Sequence, residues 1–278
     1  MIFMRFPGGL AKVLTFSYDD GMVQDERLIR LLDAHGMKGT FNLNTDLFSQ
    51  EEPPEGAPVD PHRRMTRRKA LELFGSGVHE AAVHGSTHCS FTEVPGEQIV
   101  TEIMRDRLAL EGMLGRQVRG MAYPFGTVDE HVVQAARACG ITYSRTVRST
   151  HGFDVPTDWL RLDPTCHHAD PELMPLAHRF LAARKDFGCK LFYVWGHTFE
   201  FASEADWQVI ERFCGCMAGK ADIWYATNGE IVDYVEQFRR LRCSADGQSL
   251  YNPTCTVLWL EKDHELVSLA PGEERRFG

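Results

Sequence analysis

The sequence predicts an α/β protein whose parallel sheet curls into a barrel. Three observations carry that expectation. Seven short β-like runs alternate with longer helical ones, the pattern of a parallel sheet with crossover helices. One run, Leu191 to Trp195, is nearly all apolar, as a strand buried on both faces must be. Polar and titratable side chains also follow five of the strands, all at the end where parallel α/β folds bind ligands. Groups from that many strands converge more easily in a closed barrel than in an open sheet, where neighbours lie ~4.8 Å apart.

The elements follow in order. Val13 to Phe16 is the first strand, and Asp25 to His35 a helix with Leu28, Leu31 and Leu32 on one face and Gly36 as its stop. Gly39 to Leu43 is the second strand, and Thr66 caps a short helix through Phe74. Val78 to Val83 is strand three, followed by a helix from Glu97 to Leu114 closed by Gly115. Val118 to Ala122, a helix from Asp129 to Cys139, and Ile141 to Arg145 come next. After Leu191 to Trp195, Ser203 caps a helix to Met217, Ile223 to Ala226 is strand seven, and Glu230 to Leu241 is the last long helix. Beyond it, Ser249 to Tyr251, Thr256 to Leu260 and Leu266 to Leu269 read as short strands between turns. The expected division is therefore a barrel over 1–242 and a small C-terminal β appendage over 243–278. The long polar loop Asn44 to Met65, with Glu51-Glu52-Pro53-Pro54, is a candidate rim of a site.

Composition narrows the function. With 43% hydrophobic residues and 17 Phe, the 278-residue chain can fill a sizeable core, so disorder is excluded as a general description. A formal charge of −9 argues against a nucleic-acid partner. No apolar run reaches the ~20 residues of a membrane span, and Met1 to Gly9 lacks the apolar core of a secretory signal. The eight scattered cysteines, without a CxxC pair, read as reduced thiols, which fits a cytoplasmic location, and the acidic charge suits a small or neutral substrate.

The strand ends hold the chemistry. Asp19-Asp20-Gly21 follows strand one, His84-Gly-Ser-Thr-His88 strand three, Tyr123-Pro124-Phe125-Gly126 strand four, Gly196-His197 strand six and Thr227-Asn228 strand seven. Two histidines four residues apart plus a carboxylate make the three-ligand set of an open catalytic metal site, here Asp20, His84 and His88. The His-x-x-x-His run lacks the internal Glu of a zincin, so Asp19 is the candidate base. The competing reading is a turn whose aspartates only cap the next helix. His167 and His168 read as structural or rim residues. Glu200 either orients His197 or is a solvated helix-start carboxylate. The basic run from Arg63 to Lys69 reads as a solvated face.

Thr15-Phe16-Ser17-Tyr18-Asp19-Asp20-Gly21 resembles the first motif of the polysaccharide deacetylases, the NodB-homology group or carbohydrate esterase family 4. His79-Glu80 through His84 and His88 is similar to their second motif, Tyr123-Pro124-Phe125-Gly126 to the third and Gly196-His197 to the fifth, over roughly residues 10 to 240. The resemblance implies a distorted seven-stranded (β/α) barrel of the NodB type. It implies Asp19 as general base, His197 as general acid, and Asp20, His84 and His88 as ligands of a divalent metal, Zn2+ first and Co2+, Ni2+ or Mn2+ as alternatives. It also implies Tyr123, Pro124 and Phe125 at the substrate, with the Phe125 N–H as oxyanion donor. Where the family's third motif carries Arg this chain has Ala122; Arg145 and Arg148 are the candidates to replace it. Asp158-Trp159 is the nearest candidate for the fourth motif. The implied function is removal of acetyl groups from N-acetylated, or O-acetylated, saccharides, with a small neutral oligosaccharide as the substrate partner. Hydrolysis of another small amide at the same metal site, or a non-catalytic carbohydrate-binding protein that kept the fold, are the alternatives.

Overall fold

The computed structural model describes residues 1–52, 54, 56, 60–184 and 188–277. In chain order the strands are β1 (Ile2–Arg5), β2 (Lys12–Asp19), β3 (Gly39–Leu43), β4 (Glu80–Val83), β5 (Gly120–Ala122), β6 (Tyr143–Arg145), β7 (Cys166–His167), β8 (Lys190–His197) and β9 (Ile223–Tyr225). The tail adds β10 (Arg242–Cys243), β11 (Ser249–Tyr251), β12 (Leu258–Lys262), β13 (Glu265–Leu269) and β14 (Glu274–Arg276). The helices are α1 (Asp25–Ala34), α2 (Arg67–Phe74), α3 (Gly96–Leu114), α4 (Glu130–Ala138), α5 (Leu173–Ala182), α6 (Glu204–Met217) and α7 (Asn228–Arg239). Side-chain caps at Thr66, Asp129 and Ser203 start α2, α4 and α6.

The central sheet runs β6-β5-β4-β3-β2-β8-β7, every pairing parallel, and curls into a distorted (β/α) barrel. Strand β2 is its axis, with all eight residues buried. One edge of β2 pairs with β8 along its whole length, from Lys12↔Lys190 to Asp19↔His197. The other edge is shared: β9 covers Lys12 to Leu14, and β3 takes over from Phe16.

That sharing moves one expected site element. The chain leaves β9 at the level of Leu14, where Ala226 N donates to the Leu14 carbonyl at 3.1 Å. Thr227 then caps α7, and Asn228 is buried, accepting from Thr15 Oγ1 at 2.9 Å and donating to the Tyr193 hydroxyl at 2.6 Å. Thr15 and Asp19 are four strand residues apart, ~13 Å of rise. Thr227-Asn228 is therefore a polar plug low in the barrel.

The segment between β6 and β8 differs most from the sequence expectation. Leu162 exchanges hydrogen bonds with the backbone of Ser144 and Thr146, both at 3.0 Å, and four residues later the same stretch pairs with β8 as β7. It spans the gap between β6 and β8, but β7 is two residues long and shows no periodicity. Helix α5 was also unforeseen. Its Pro175 sits in the first turn, where the missing N–H has no intrahelical partner to lose.

The tail forms two three-stranded antiparallel sheets, β1-β12-β13 and β10-β11-β14. Strand β1, from the N-terminal end, was not expected to join the tail. Residues 53, 55 and 57–59 of the expected rim loop lie outside the described residues. Among the described residues no helix is long and apolar enough to cross a membrane.

Phe16 illustrates how the core holds β2 in place: it is fully buried and meets Phe213 of α6 edge-on at 5.9 Å. Phe16→Ala should cost about 3–5 kcal/mol. A lower urea midpoint at unchanged m-value checks this.

Candidate active site

The β2–β8 register sets Asp19 beside His197 at the same end of the barrel. Asp19 Oδ2 lies 3.7 Å from His84 Nε2 and 3.8 Å from His197 Nε2, while Oδ1 accepts from Asn42 Nδ2 at 2.8 Å. Oδ2 is also paired with Arg145, whose side chain is completely buried. Arg145 donates to the Thr146 carbonyl at 3.0 Å and stacks over the Trp195 ring at 4.4 Å. Its strand partner is Ala122. The cation therefore comes from β6, the strand next to the one that carries Ala122. Arg148 instead turns outward to Asp163, 2.8 Å from Nε. Burial pushes the Asp19 carboxyl up, but Arg145, helped by His84, His197 and Asn42, outweighs it and holds the carboxyl at about 2.

One residue on, Asp20 has φ +85° and turns its carboxylate away from the strand. Asp20 Oδ1 is 3.5 Å from His88 Nε2 and 3.9 Å from His84 Nε2. Donor atoms of these three residues all lie within 4.8 Å of one another. The His84 Nδ1 pairs with the Ala122 carbonyl at 2.8 Å, which fixes the proton there and leaves the Nε2 lone pair free. That Nε2 is buried without a hydrogen-bond partner. Burial lowers the pKa of both imidazoles, to about 4 for His88 with the added charge of His84, so both lone pairs are available at neutral pH. Two imidazole nitrogens and one carboxylate oxygen, with an orphaned buried nitrogen among them, fit a divalent cation.

Helix α3 holds the histidine loop from behind. Asp106 accepts from the backbone N–H groups of His84 (2.9 Å) and Thr45 (2.8 Å). Glu102 accepts from Ser86 Oγ (3.1 Å), Thr87 N (2.8 Å) and Thr87 Oγ1 (2.9 Å). His88 and Phe125, like Asp20, adopt left-handed backbone angles, +58° and +60°. The Phe125 ring is mostly exposed and meets His88 at 4.5 Å.

On the opposite side, Glu200 gathers three histidines. Its Oε2 is 3.2 Å from His197 Nδ1, 3.0 Å from His167 Nε2 and 3.5 Å from His168 Nε2, and it accepts from the His197 backbone N–H at 2.9 Å. His167 Nδ1 accepts from Ala169 N at 3.1 Å, so the neutral ring carries its proton on Nε2 and donates it to Glu200. Burial lowers the His197 pKa, yet Glu200 and Asp19 outweigh it and the net direction is up. Gly196 is required here, because a Cβ would sit 2.0 Å from His168 Nδ1. His168 itself is buried, stacked between Tyr18 and Phe201 at 5.6 and 4.4 Å. Thr198 Oγ1 donates to the buried Asp25 of α1 at 2.6 Å, and burial pushes that carboxyl up to about 8.

Asp158 and Trp159 stand apart. Asp158 caps its own turn through Leu160 N (3.1 Å), and the Trp159 indole donates to Glu236 of α7 at 2.6 Å. The Tyr123 hydroxyl donates to the Leu160 carbonyl at 2.8 Å, so its ring faces the core, and neighbouring Pro124 is also buried. A cavity of about 870 Å³ starts at Gly126 and runs past Thr146, Arg148 and Asp163. Its Arg148 is already paired with Asp163, and it does not contain the His/Asp cluster.

Residues 8–144 match the family model described as polysaccharide deacetylase. The matched segment, 137 of the 278 residues, is similar to the polysaccharide deacetylases. Its fold is similar to that of a candidate polysaccharide deacetylase from Mycobacterium smegmatis, at TM-score 0.60 and 17% identity over 85% of this chain and 94% of that one. It is also similar to a mutant of a Bacillus anthracis pseudoenzyme of carbohydrate esterase family 4 with restored enzymatic activity, at TM-score 0.50 and 17% identity, covering 83% and 70%. No curated protein matches the sequence significantly.

Because the Asp19 carboxyl is held at about 2 against an ordinary 3.8, its pairing contributes stability that is complete above pH 3.8 and lost as pH falls through 2. Arg145→Met should raise that pKa, followed by carboxyl-carbon NMR. It should also destabilise the protein by about 3–5 kcal/mol, since it leaves a buried charge unpaired. Adding Asp19→Asn should restore part of the loss in a double-mutant cycle.

Proposed function

We propose that this protein is a divalent-metal-dependent hydrolase that removes acetyl groups from N-acetylated saccharides. The observation that carries the reading is the convergence of a buried Asp19, held ionised by Arg145, and His197, whose Nε2 lies 3.8 Å from Asp19 Oδ2, beside an Asp20/His84/His88 cluster whose buried His84 Nε2 has no partner. Asp20, His84 and His88 would hold the metal, most simply Zn2+, with Co2+, Ni2+ or Mn2+ compatible with the same donors. Bound there, such an ion supplies Lewis acidity and lowers the pKa of water.

The chain's own groups do the rest. Asp19, kept ionised by Arg145, accepts the proton of the attacking water. The Phe125 N–H, held in its left-handed turn, is the candidate donor to the developing oxyanion. His197, with its Nδ1 proton fixed on Glu200, delivers a proton from Nε2 to the departing nitrogen. An amide needs that proton more than an ester does, because an amine anion is a very poor leaving group.

Acetate release from N-acetylglucosamine oligomers and acetylated xylan, with Zn2+ or Co2+, tests the reading; a metal-bound protein that releases none from any of them would place it among non-catalytic members or on another small amide. Asp20→Ala should lose metal on dialysis. Asp19→Asn should keep metal and lose turnover by at least about 100-fold, the scale of one general base.

Glu200→Gln removes the carboxylate that raises the His197 pKa. The alkaline limb of kcat/KM should then move to lower pH, because the active acid is the protonated form. The loss should be larger for an amide than for an ester of the same sugar, measured side by side.

A further inference from the structure

The basic run Arg63, Arg64, Arg67, Arg68 and Lys69 does not behave as one solvated face. Residues 60–66 strap the turn after β2: Val23 N donates to the Arg63 carbonyl at 3.0 Å, Met65 N to the Gly21 carbonyl at 2.8 Å, and Met22 bridges Arg64. The strap presses the Arg64 side chain against Asp20. Its Nη1 donates to the Asp20 carbonyl and to Asn44 Oδ1 (3.0 Å), and it lies 2.9 Å from Asp20 Oδ1. This is the same oxygen that faces His88 and His84. The Arg64 side chain is 19% exposed, so solvent screens the pair weakly.

Holding the strap requires only N–H donors to two neutral oxygens. A full charge beside Oδ1 is more than that task needs. Two cations cannot both have the full attraction of one carboxylate oxygen, and an arginine keeps its charge at any working pH. We propose that Arg64 is a resident cation that competes with the divalent metal for Asp20, setting the affinity of the site below what two histidines and an aspartate would otherwise provide. With no metal bound, the same contact compensates the buried Asp20 charge. The inference rests on Asp20, His84 and His88 being the metal ligands.

The test is zinc affinity of the full chain, measured by competition with a chromophoric chelator after dialysis against a strong one. Arg64→Met should bind Zn2+ about tenfold more tightly or better, matching the one to three pKa units by which a nearby unit charge shifts an ionic equilibrium. Arg64→Lys, which keeps the charge, should stay near wild type. Removing the charge should also lower the Tm of the metal-free protein while enlarging the Tm rise on adding Zn2+. If Arg64→Met does not fold by circular dichroism, Arg64→Gln keeps an amide donor for the Asp20 carbonyl and carries the same expectation. A folded charge-removing variant that binds Zn2+ no more tightly than wild type overturns the inference and leaves the ligand assignment standing. Failure of wild type and variant alike to bind Zn2+ overturns the ligand assignment itself.

Discussion

A fully buried guanidinium against a fully buried carboxylate is the constraint around which this barrel is organised. Neither Arg145 nor Asp19 is tolerable alone in that interior, and together they repay desolvation only with further hydrogen bonds and close packing. The structure supplies most of this: Asn42 donates to the carboxylate, Thr146 accepts from the guanidinium, and the Trp195 face covers the cation, while Arg145 Nε is buried without a partner. The pair spans from β6 to β2, and β2 carries in succession Asp19, then the turn holding Asp20. Everything placed from β2, including the β8 register that sets His197, inherits its position from this tie.

The strained backbone around the site has a matching support. Three non-glycine residues there sit at positive φ, a conformation costing of order 1–3 kcal/mol each. Such turns persist when surrounding groups over-determine them. Asp106 and Glu102 do so for the histidine loop from α3, and Asp25, through Thr198, ties the start of α1 to the segment beyond His197. The His84–His88 side and the His197 side are thus each clamped by a helix rather than left to a free loop, which is how a site keeps donors at fixed separations.

Much of this was legible in the chain. The β/α alternation, the capped starts of α2 and α6, and the Asp-Asp and His-x-x-x-His groups at strand ends are local patterns, and local patterns are what periodicity and capping chemistry report. What escaped depends on register or distance. Strand β7 has two residues and no pattern of its own. Helix α5 hides behind Pro175. Arg145 is one of two candidates the sequence offers, but its choice over Arg148 rests on a carboxylate 126 positions away; Arg64 meets one 44 positions away and cannot be told from its basic neighbours. Glu200 was ambiguous because a helix-start carboxylate and a histidine partner occupy the same spacing; the His167 tautomer, set by a backbone N–H, is visible only in three dimensions.

The Ala122–Arg145 pairing has a consequence for how relatedness is read. In a parallel barrel, residues at one height on adjacent strands point to nearly the same volume, so a side chain can migrate sideways by one strand while its head group stays put. A linear motif records such a migration as a deletion. The three-dimensional arrangement records it as a substitution of address with the charge retained. Family members that look degenerate along the chain can therefore be intact in cross-section, and the ring of residues at each barrel height, rather than the string along each strand, is the unit in which such sites should be compared.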